Sequence, residues 1–411
     1  MRLRIDLSRA GRILRDGWLI TGVSLALLLA LEGGYRMQAA VRRAIASARS
    51  GALPAHPYAK DTWYAQFAAE ETAAIENLTW RPYVYYRKRP FRGTFVNVDS
   101  LGHRRTVQMA WLGSTHRDVF MFGGSTMWGT GSRDSMTIPS CVARGLAAEG
   151  IRDVAIANFG ETGWVFSQEV LELALQLRAG ARPAIVVFYD GINDVGSTVQ
   201  NGQAGIPDND VHRVRDFEFG QLVFTWVTDA ATEGRIFSRL ALAAADRMQL
   251  LQRLRSRVLR LPEAPDDSLA EDLRRTYAGT IELVEALARH YGFVAFYVLQ
   301  PTFQLTPRPL SPFERTLLQG GEQGDLGRKL VELHGRLIAA IARAMSTEVP
   351  DRSLNLGMLF ASDTATVFLD NIGHTTEAAS ATIAAEIGRR LRPYLARSQP
   401  TRAGEPGTAS R

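Results

Sequence analysis

Residues 117–124 of the chain read RDVFMFGG, a short apolar run that ends in two glycines. Three similar runs follow, which are VAIANFG at 154–160, PAIVVFYDG at 183–191 and FVAFYVLQP at 293–301. Runs of this length, rich in β-branched and aromatic residues and bounded by turn residues, are typical of buried strands. The pattern therefore predicts four strands that are buried within a sheet.

Helical sequences lie between the first three of these strands. SMTIPSCVARGLAAEG at 135–150 and FSQEVLELALQLRAG at 166–180 each lead from one strand to the next. Alternating strands and helices are typical of parallel strands joined by right-handed crossovers. The predicted fold is α/β, a three-layer α/β/α sandwich around a parallel sheet of the flavodoxin-like type. In such sheets functional groups gather beyond the carboxyl ends of the strands.

The composition of the chain limits the classes of function that it can have. It has 411 residues, of which 46% are hydrophobic, and a formal net charge of +6. Its arginines are spread through helical stretches rather than clustered with aromatic residues, so we expect no nucleic-acid partner. The single cysteine, Cys141, excludes an internal disulfide and leaves the compartment open. We expect no metal and no cofactor, because no metal-ligand spacing and no phosphate-binding glycine loop occur.

An arginine-rich arm, residues 1–16, precedes the apolar stretch GWLITGVSLALLLALEGG at 17–34. A cleaved signal peptide, a signal anchor and a buried helix are the alternatives. We favour a transmembrane signal anchor, since no small-x-small cleavage site closely follows and a buried helix is rarely so continuous in Leu and Ala. The excess of arginine before the stretch keeps the arm cytoplasmic. This predicts a single-pass protein of the inner membrane, with the bulk of the chain in the periplasm.

The remaining segments surround the predicted sandwich. Residues 35–116 are expected to form a stalk followed by short extended pieces packed on the domain surface. Residues 117–395 make up the predicted α/β domain, which an Arg-rich amphipathic cap interrupts at about 197–266. The polar tail at 396–411 is expected to be disordered.

Ser125 lies just past the first predicted strand, in the sequence Gly123-Gly124-Ser125-Thr126. A hydroxyl on a tight turn at the edge of a sheet is exposed to a substrate. The amides at the start of the following helix can then face a developing negative charge. Serine is also a favoured residue at the N-cap of a helix. This segment alone leaves the nucleophile and the cap as open alternatives.

Three further turns carry candidate functional groups. NFGETG at 158–163 has glycines that allow a backbone N–H to approach a substrate oxygen. GIND at 191–194 contains Asn193, whose side-chain amide could donate to an oxyanion. DNIGH at 370–374 places an acid shortly before His374, and such an acid can orient an imidazole. Each turn alone is also compatible with ordinary turn chemistry.

In this order, the four segments resemble the motif blocks of the SGNH hydrolase superfamily, the GDSL esterases and lipases. GGST, NFGETG, GIND and DNIGH are similar to its nucleophile, glycine, asparagine and histidine blocks, over about residues 117–395. The resemblance implies that Ser125 is the nucleophile and His374 the general base. It also implies an oxyanion hole formed by the amides of Ser125 and Gly163 and the side chain of Asn193.

Two positions depart from the family pattern. Gly124 stands where the namesake motif has Asp, which is acceptable if the turn needs a small residue rather than a charge. The family acid is usually three residues before His374, where this chain has Asn371, whereas Asp370 lies four before. We favour a bulge that brings Asp370 to His374. Orientation of the ring by Asn371, or a dyad of Ser125 and His374, remains open.

The function that this resemblance implies is ester hydrolysis through an acyl-enzyme. A periplasmic position suggests O-acyl esters of envelope carbohydrate or lipid, such as an acylated polysaccharide, as the substrate. An O-acyltransferase of the same fold is one alternative, because a sugar hydroxyl could resolve the same acyl-enzyme. A non-catalytic protein that binds envelope glycans is another. The sequence does not indicate an oligomeric state.

Overall fold

A computed structural model describes residues 7–49, 56–108, 116–210, 266–320 and 325–396, together with 213, 214 and 217. The chain forms two compact units. The first comprises Met1–Leu53 and His212–Leu261, and the second comprises Pro54–Val211 and Pro262–Arg411. All residues predicted to form the site belong to the second unit.

Helix α1 (Leu7–Arg49) is the main described element of the first unit. Within it, the 24 residues Arg15–Gln38 are long and apolar enough to cross a membrane, since they extend over about 36 Å at 1.5 Å per residue. Glu32, which interrupts the apolar stretch, pairs with Arg36 one turn later at 2.7 Å. Signal sequences share these properties. The structure therefore has one apolar N-terminal helix that could be a membrane anchor or a signal sequence.

In the second unit, residues 56–108, which we call the N-terminal segment, form one helix and four short strands. These are α2 (Tyr64–Glu76), β1 (Leu78–Arg81), β2 (Tyr85–Lys88), β3 (Phe91–Arg92) and β4 (Asn97–Val98). Strand β1 pairs with β2 and β3 with β4, both antiparallel. Phe67 and Ala74 of α2 are buried against Val98 and Trp128. The N-terminal segment therefore packs on the α/β domain.

Five strands form the central sheet. They are β5 (Arg117–Gly123), β6 (Val154–Asn158), β7 (Ile185–Asp190), β8 (Val294–Leu299) and β9 (Ser353–Asn355). They pair in the order β6-β5-β7-β8-β9, and every pairing is parallel. The predicted parallel sheet is confirmed, with β9 added at one edge. A strand of three residues is too short to show a pattern in the sequence.

Helices cover both faces of this sheet. They are α3 (Ser125–Trp128), α4 (Ile138–Ala148), α5 (Phe166–Arg178), α6 (Ile192–Asn201), α7 (Asp266–Tyr291), α8 (Pro312–Gly320), α9 (Asp325–Glu348) and α10 (Glu377–Ala396). Phe120 and Phe122 of β5 pack with residues of α5, α6, α7 and α9. Val119 and Met121 pack with residues of α4 and α10. Because successive side chains of a strand point to opposite faces, the sheet is the middle of three layers, as predicted.

Local signals explain where helix α4 begins and ends. The Thr137 side chain accepts a hydrogen bond from the Ser140 amide at 3.4 Å, as an N-cap does, and Pro139 lies in the first turn. Gly150, just past the helix end, has φ +88°, a left-handed conformation that glycine adopts without strain. The helix expected at 135–150 is thus present as α4, preceded by a single 3-10 turn at Asp134–Met136.

The predicted cap overlaps a helix of the sandwich. Helix α6 runs to Asn201, so the first residues of the expected cap at 197–266 are the end of this helix. Residues 218–265, which carry most of that prediction, lie outside the described residues. So do residues 397–411 of the predicted tail.

Candidate active site

Ser125 is the first residue of α3, directly after β5 and Gly124. The N-cap of this helix is Gly124, and no side chain caps it. The Ser125 hydroxyl oxygen instead lies 2.7 Å from Nε2 of His374. The alternative that Ser125 is a helix cap is therefore excluded, and its hydroxyl is in contact with an imidazole.

His374 also contacts the carboxylate of Asp370. Nδ1 of the ring lies 2.5 Å from Oδ2 of Asp370, and the histidine is buried. With the proton on Nδ1, the ring donates to the carboxylate and accepts from the Ser125 hydroxyl through Nε2. The residues predicted as nucleophile, base and acid thus form one hydrogen-bonded series.

The turn that contains Asp370 explains its separation of four residues from His374. Oδ1 of Asp370 accepts from the amide of Ile372 at 3.0 Å and from the amide of His374 at 3.2 Å. These bonds wrap the chain around the carboxylate and leave Oδ2 facing the ring. Asn371 contributes its backbone carbonyl, which accepts from Nε2 of Gln304 at 2.6 Å. Asp370, and not the Asn371 side chain, is therefore the group that contacts the imidazole of His374.

Asn193 and Gly163, predicted oxyanion donors together with the Ser125 amide, lie at the same edge of the sheet. Nδ2 of Asn193 donates to the carbonyl of Trp164 at 2.8 Å, which ties it to the residue after Gly163. Gly163 has φ +75°, so the chain turns there in a conformation that favours glycine. The Asn193 carboxamide also lies against Gly124. The asparagine and glycine blocks therefore meet beside the turn that contains Ser125.

Gly124 leaves room for the Asn193 side chain. A Cβ atom at this position would lie 2.0 Å from Nδ2 of Asn193 and 3.2 Å from its Cγ. Any side chain at residue 124 must therefore displace the carboxamide from its place beside Ser125. This close approach gives a physical reason for glycine where the related motif has Asp.

We expect Gly124→Ala to lower kcat for ester hydrolysis by about 10²-fold, the order of effect seen when one oxyanion donor is lost. Steady-state kinetics on a model ester measures the change. Gly145→Ala is the matched control, because nothing lies within 4 Å of a Cβ at that position of α4. A Gly124→Ala variant with the kcat of Gly145→Ala would contradict a role for the Asn193 amide.

Asn158, the first residue of the glycine block, holds helix α3 in place. Its Nδ2 donates to the carbonyl oxygens of Met127 at 3.1 Å and Trp128 at 3.3 Å. Its Oδ1 accepts from the amide of Gly160 at 2.9 Å. Asn158 is buried. It therefore links the end of β6 to α3. In the sequence, only the place of Asn158 within the motif block indicated that it has a role.

Glu71 of α2 brings the N-terminal segment close to the candidate triad. Its carboxylate accepts from the amide of Gly131 at 2.7 Å and interacts electrostatically with His374 and Asp370. Burial raises the pKa of Glu71. The sequence contained no signal for this contact, because Glu71 lies in an Ala-rich helix well before the motif blocks.

Three buried carboxyl groups lie next to the asparagine block. Glu169 of α5, Asp190 of β7 and Asp194 of α6 are buried, and burial raises the pKa of each, to about 7 for Asp194. Oδ1 of Asp194 accepts from the amide of Phe166 at 3.2 Å. Within the described ranges, no group of three or more His, Cys, Asp or Glu side chains could hold a metal ion.

We expect the contribution of Asp194 to the free energy of unfolding to fall as pH rises from about 4 to 7, by up to about 1.4 kcal/mol per pH unit. The folded protein keeps the Asp194 proton to a higher pH than the unfolded chain does, so it binds more protons throughout this range. Asp194→Asn retains an oxygen for the Phe166 amide and lacks this proton, so its free energy of unfolding should change more positively with pH than that of the wild type. Urea unfolding at pH values across the range measures it.

The control for this experiment is Asp351→Asn, because Asp351 is exposed. Its substitution should leave the pH dependence of stability as in the wild type. If Asp194→Asn showed the same pH dependence of stability as Asp351→Asn, Asp194 would not be the group that releases the proton.

Comparisons with known proteins match this chain to solved structures, whereas no family model and no curated protein matches it. It is similar to TesA, with 15% identity and a TM-score of 0.34 over 68% of this chain and 99% of the other. An acetyl xylan esterase, AlAXEase, has 11% identity and a TM-score of 0.36, over 67% and 99%. A lipolytic protein of the G-D-S-L family from Desulfitobacterium hafniense DCB-2 has 8% identity and a TM-score of 0.34, over 67% and 100%.

Proposed function

We propose that this chain is a serine ester hydrolase of the SGNH type, with Ser125 as nucleophile, His374 as general base and Asp370 as the acid that orients it. The observation that carries the proposal is the series Asp370–His374–Ser125, with contacts of 2.5 and 2.7 Å. A serine hydroxyl is a weak nucleophile unless an adjacent base takes its proton. The contact of His374 Nε2 with the Ser125 hydroxyl supports this role for His374.

In the first half of the proposed reaction, Ser125 Oγ attacks the carbonyl carbon of the ester as its proton passes to His374 Nε2. The carbonyl oxygen becomes an oxyanion, which accepts from the amides of Ser125 and Gly163 and from Asn193 Nδ2. The carboxylate of Asp370 stabilises the imidazolium and holds its orientation. The bond to the leaving alcohol then breaks, His374 protonates that alcohol, and the acyl group stays on Ser125.

In the second half, water attacks the acyl carbon as His374 Nε2 takes one of its protons. The same three donors hold the second oxyanion. The bond from the acyl carbon to Ser125 Oγ breaks and His374 returns the proton to that oxygen. The products are a carboxylic acid and the free enzyme, and the chain's own residues supply every proton transfer.

The decisive experiment treats the full chain, purified in detergent, with a model ester and with a fluorophosphonate probe. We expect release of the acid, and a covalent phosphonyl label that peptide mass spectrometry locates on Ser125. A protein that neither hydrolyses esters nor takes the label would overturn the proposal. A label on a different serine would overturn the assignment of the nucleophile.

As substrate we propose an O-acyl ester of envelope carbohydrate or lipid, reached from the inner membrane by a catalytic unit in the periplasm. Helix α1 supports the tether, because its apolar part has spanning length, and the arginine balance around it supports the orientation. Protease added to spheroplasts is expected to digest the second unit, and protection of that unit would contradict this orientation. Acetate release from an O-acetylated polysaccharide tests the substrate class.

A further inference from the structure

Strand β2, which lies outside the central sheet, holds the loop of the glycine block from one side. Its backbone and side chains contact three residues of that loop. Arg87 Nη1 donates to the Phe159 carbonyl at 3.2 Å, and the Lys88 amide donates to Glu161 Oε2 at 3.1 Å. Thr162 accepts two bonds, one at its Oγ1 from Lys88 Nζ at 2.7 Å and one at its carbonyl from the Tyr86 hydroxyl at 2.8 Å. The loop is therefore positioned by a part of the chain that precedes the motif blocks.

A buried ion pair secures this contact. Lys88 Nζ lies 3.3 Å from Glu161 Oε1, and both side chains are fully buried. The same Glu161 oxygen accepts from the amide of Thr162 at 2.9 Å. A buried charge that lost its partner would be strongly unfavourable, so β2 and the loop stay together. Thr162 is held by its amide, its hydroxyl and its carbonyl.

The carbonyl of Thr162 belongs to the same peptide group as the amide of Gly163. In a trans peptide the carbonyl oxygen and the following N–H point to opposite sides of the bond, and the described residues contain no cis peptide. The Tyr86 hydroxyl holds the carbonyl oxygen on the β2 side. The Gly163 N–H must therefore point away from β2.

The backbone around Tyr86 is constrained. Tyr85 has φ +72°, a conformation that residues other than glycine rarely adopt and that persists only where surrounding contacts impose it. A Cβ atom at Gly163 would lie 3.0 Å from the Tyr86 hydroxyl oxygen, which shows how closely this hydroxyl approaches the glycine. Strain of this kind often marks a functional site.

We propose that Tyr86 is a positioning residue for the oxyanion hole. Its hydroxyl fixes the plane of the Thr162–Gly163 peptide and so directs the Gly163 N–H towards the oxyanion. This inference rests on the proposed function, because it assigns a task to Tyr86 only if an oxyanion forms beside Ser125. Through Tyr86 alone, the N-terminal segment then contributes to positioning the oxyanion hole.

The test compares Tyr86→Phe with Tyr85→Phe in the full chain, on a model ester. Tyr86→Phe keeps the ring and is expected to lower kcat at least about tenfold, with KM changed by less than about twofold. The Gly163 amide would be misdirected, and this weakens only its interaction with the negative charge that develops in the transition state. A trifluoromethyl ketone, which binds as a hemiketal oxyanion on serine, should lose affinity by the factor by which kcat/KM falls. Tyr85→Phe also removes a hydroxyl, one that donates to Asp210 at 3.1 Å, and should keep the wild-type kcat.

Thermal unfolding of both variants separates positioning from stability. A kcat of Tyr86→Phe within about twofold of Tyr85→Phe would overturn the inference, even if its melting temperature fell. So would a lower kcat with unchanged affinity for the ketone. In both cases a wild type that hydrolyses the ester through Ser125 would leave the proposed function intact. A wild type without Ser125-dependent hydrolysis would overturn both.

Discussion

Ser125→Ala is expected to lower kcat for hydrolysis of a model ester by about 10⁴-fold or more, because the acyl-enzyme can no longer form. The hydroxyl of Ser125 lies 2.7 Å from Nε2 of His374, and loss of the nucleophile leaves this base without the proton that it accepts. The oxyanion donors remain in place, so a small residual rate above that of water is expected. Steady-state hydrolysis by the purified full chain measures the loss.

The control for this substitution is a serine in a different environment. Ser346 lies on α9, where its exposed hydroxyl donates to the carbonyl of Arg343 at 3.1 Å. Ser346→Ala removes the same oxygen atom and should keep the wild-type kcat. If Ser125→Ala retained activity comparable with that of Ser346→Ala, the serine mechanism would be wrong for this protein.

Asp370→Asn is expected to lower kcat by about 10³-fold, with a smaller effect on KM. The carboxylate of Asp370 accepts from Nδ1 of His374 at 2.5 Å and stabilises the imidazolium that forms when Ser125 loses its proton. A carboxamide has no charge to stabilise that cation. Its N–H₂ group can also turn towards Nδ1 and favour the wrong tautomer of the ring. The same steady-state assay measures the change.

Asn371→Ala is the matched control, and it also tests the competing assignments. Asn371 contributes its backbone carbonyl to the turn, which alanine retains, so kcat should stay within about threefold of the wild type if Asp370 is the orienting group. A large loss in Asn371→Ala with little loss in Asp370→Asn would show that the amide orients His374. Little loss in either variant would indicate a dyad of Ser125 and His374.

The parallel sheet and its functional edge could be predicted because they depend on short stretches of sequence. The apolar run before Gly123 and the run before Gly191 became β5 and β7, since a short apolar run bounded by turn residues is a local property of the sequence. The candidate nucleophile Ser125 and the candidate donor Asn193 follow those strands directly. Parallel strands bring such turns to one edge of the sheet, so order along the chain was enough to group them.

Contacts between distant stretches could not be predicted in this way. The hydroxyl of Tyr86 meets the carbonyl of Thr162 across 76 positions, and the carboxylate of Glu71 meets the amide of Gly131 across 60. The sequence of the N-terminal segment shows aromatic residues and short extended pieces, but packing on the sandwich decides which of its side chains become buried. Lys88, a residue type that is almost never fully buried unless paired, is buried here against Glu161.

The sequence by itself determined the fold class, the edge of the sheet at which the motif blocks gather and the identity of the candidate nucleophile block. Periodicity and turn chemistry act over a few residues and are visible without coordinates. Only the tertiary structure decided that Gly124 rather than Ser125 caps α3, and that Asp370 rather than Asn371 contacts His374. Both outcomes depend on where a side chain points once the backbone is in place. The amides of Ile372 and His374 set that direction for Asp370, and spacing along the chain cannot show it.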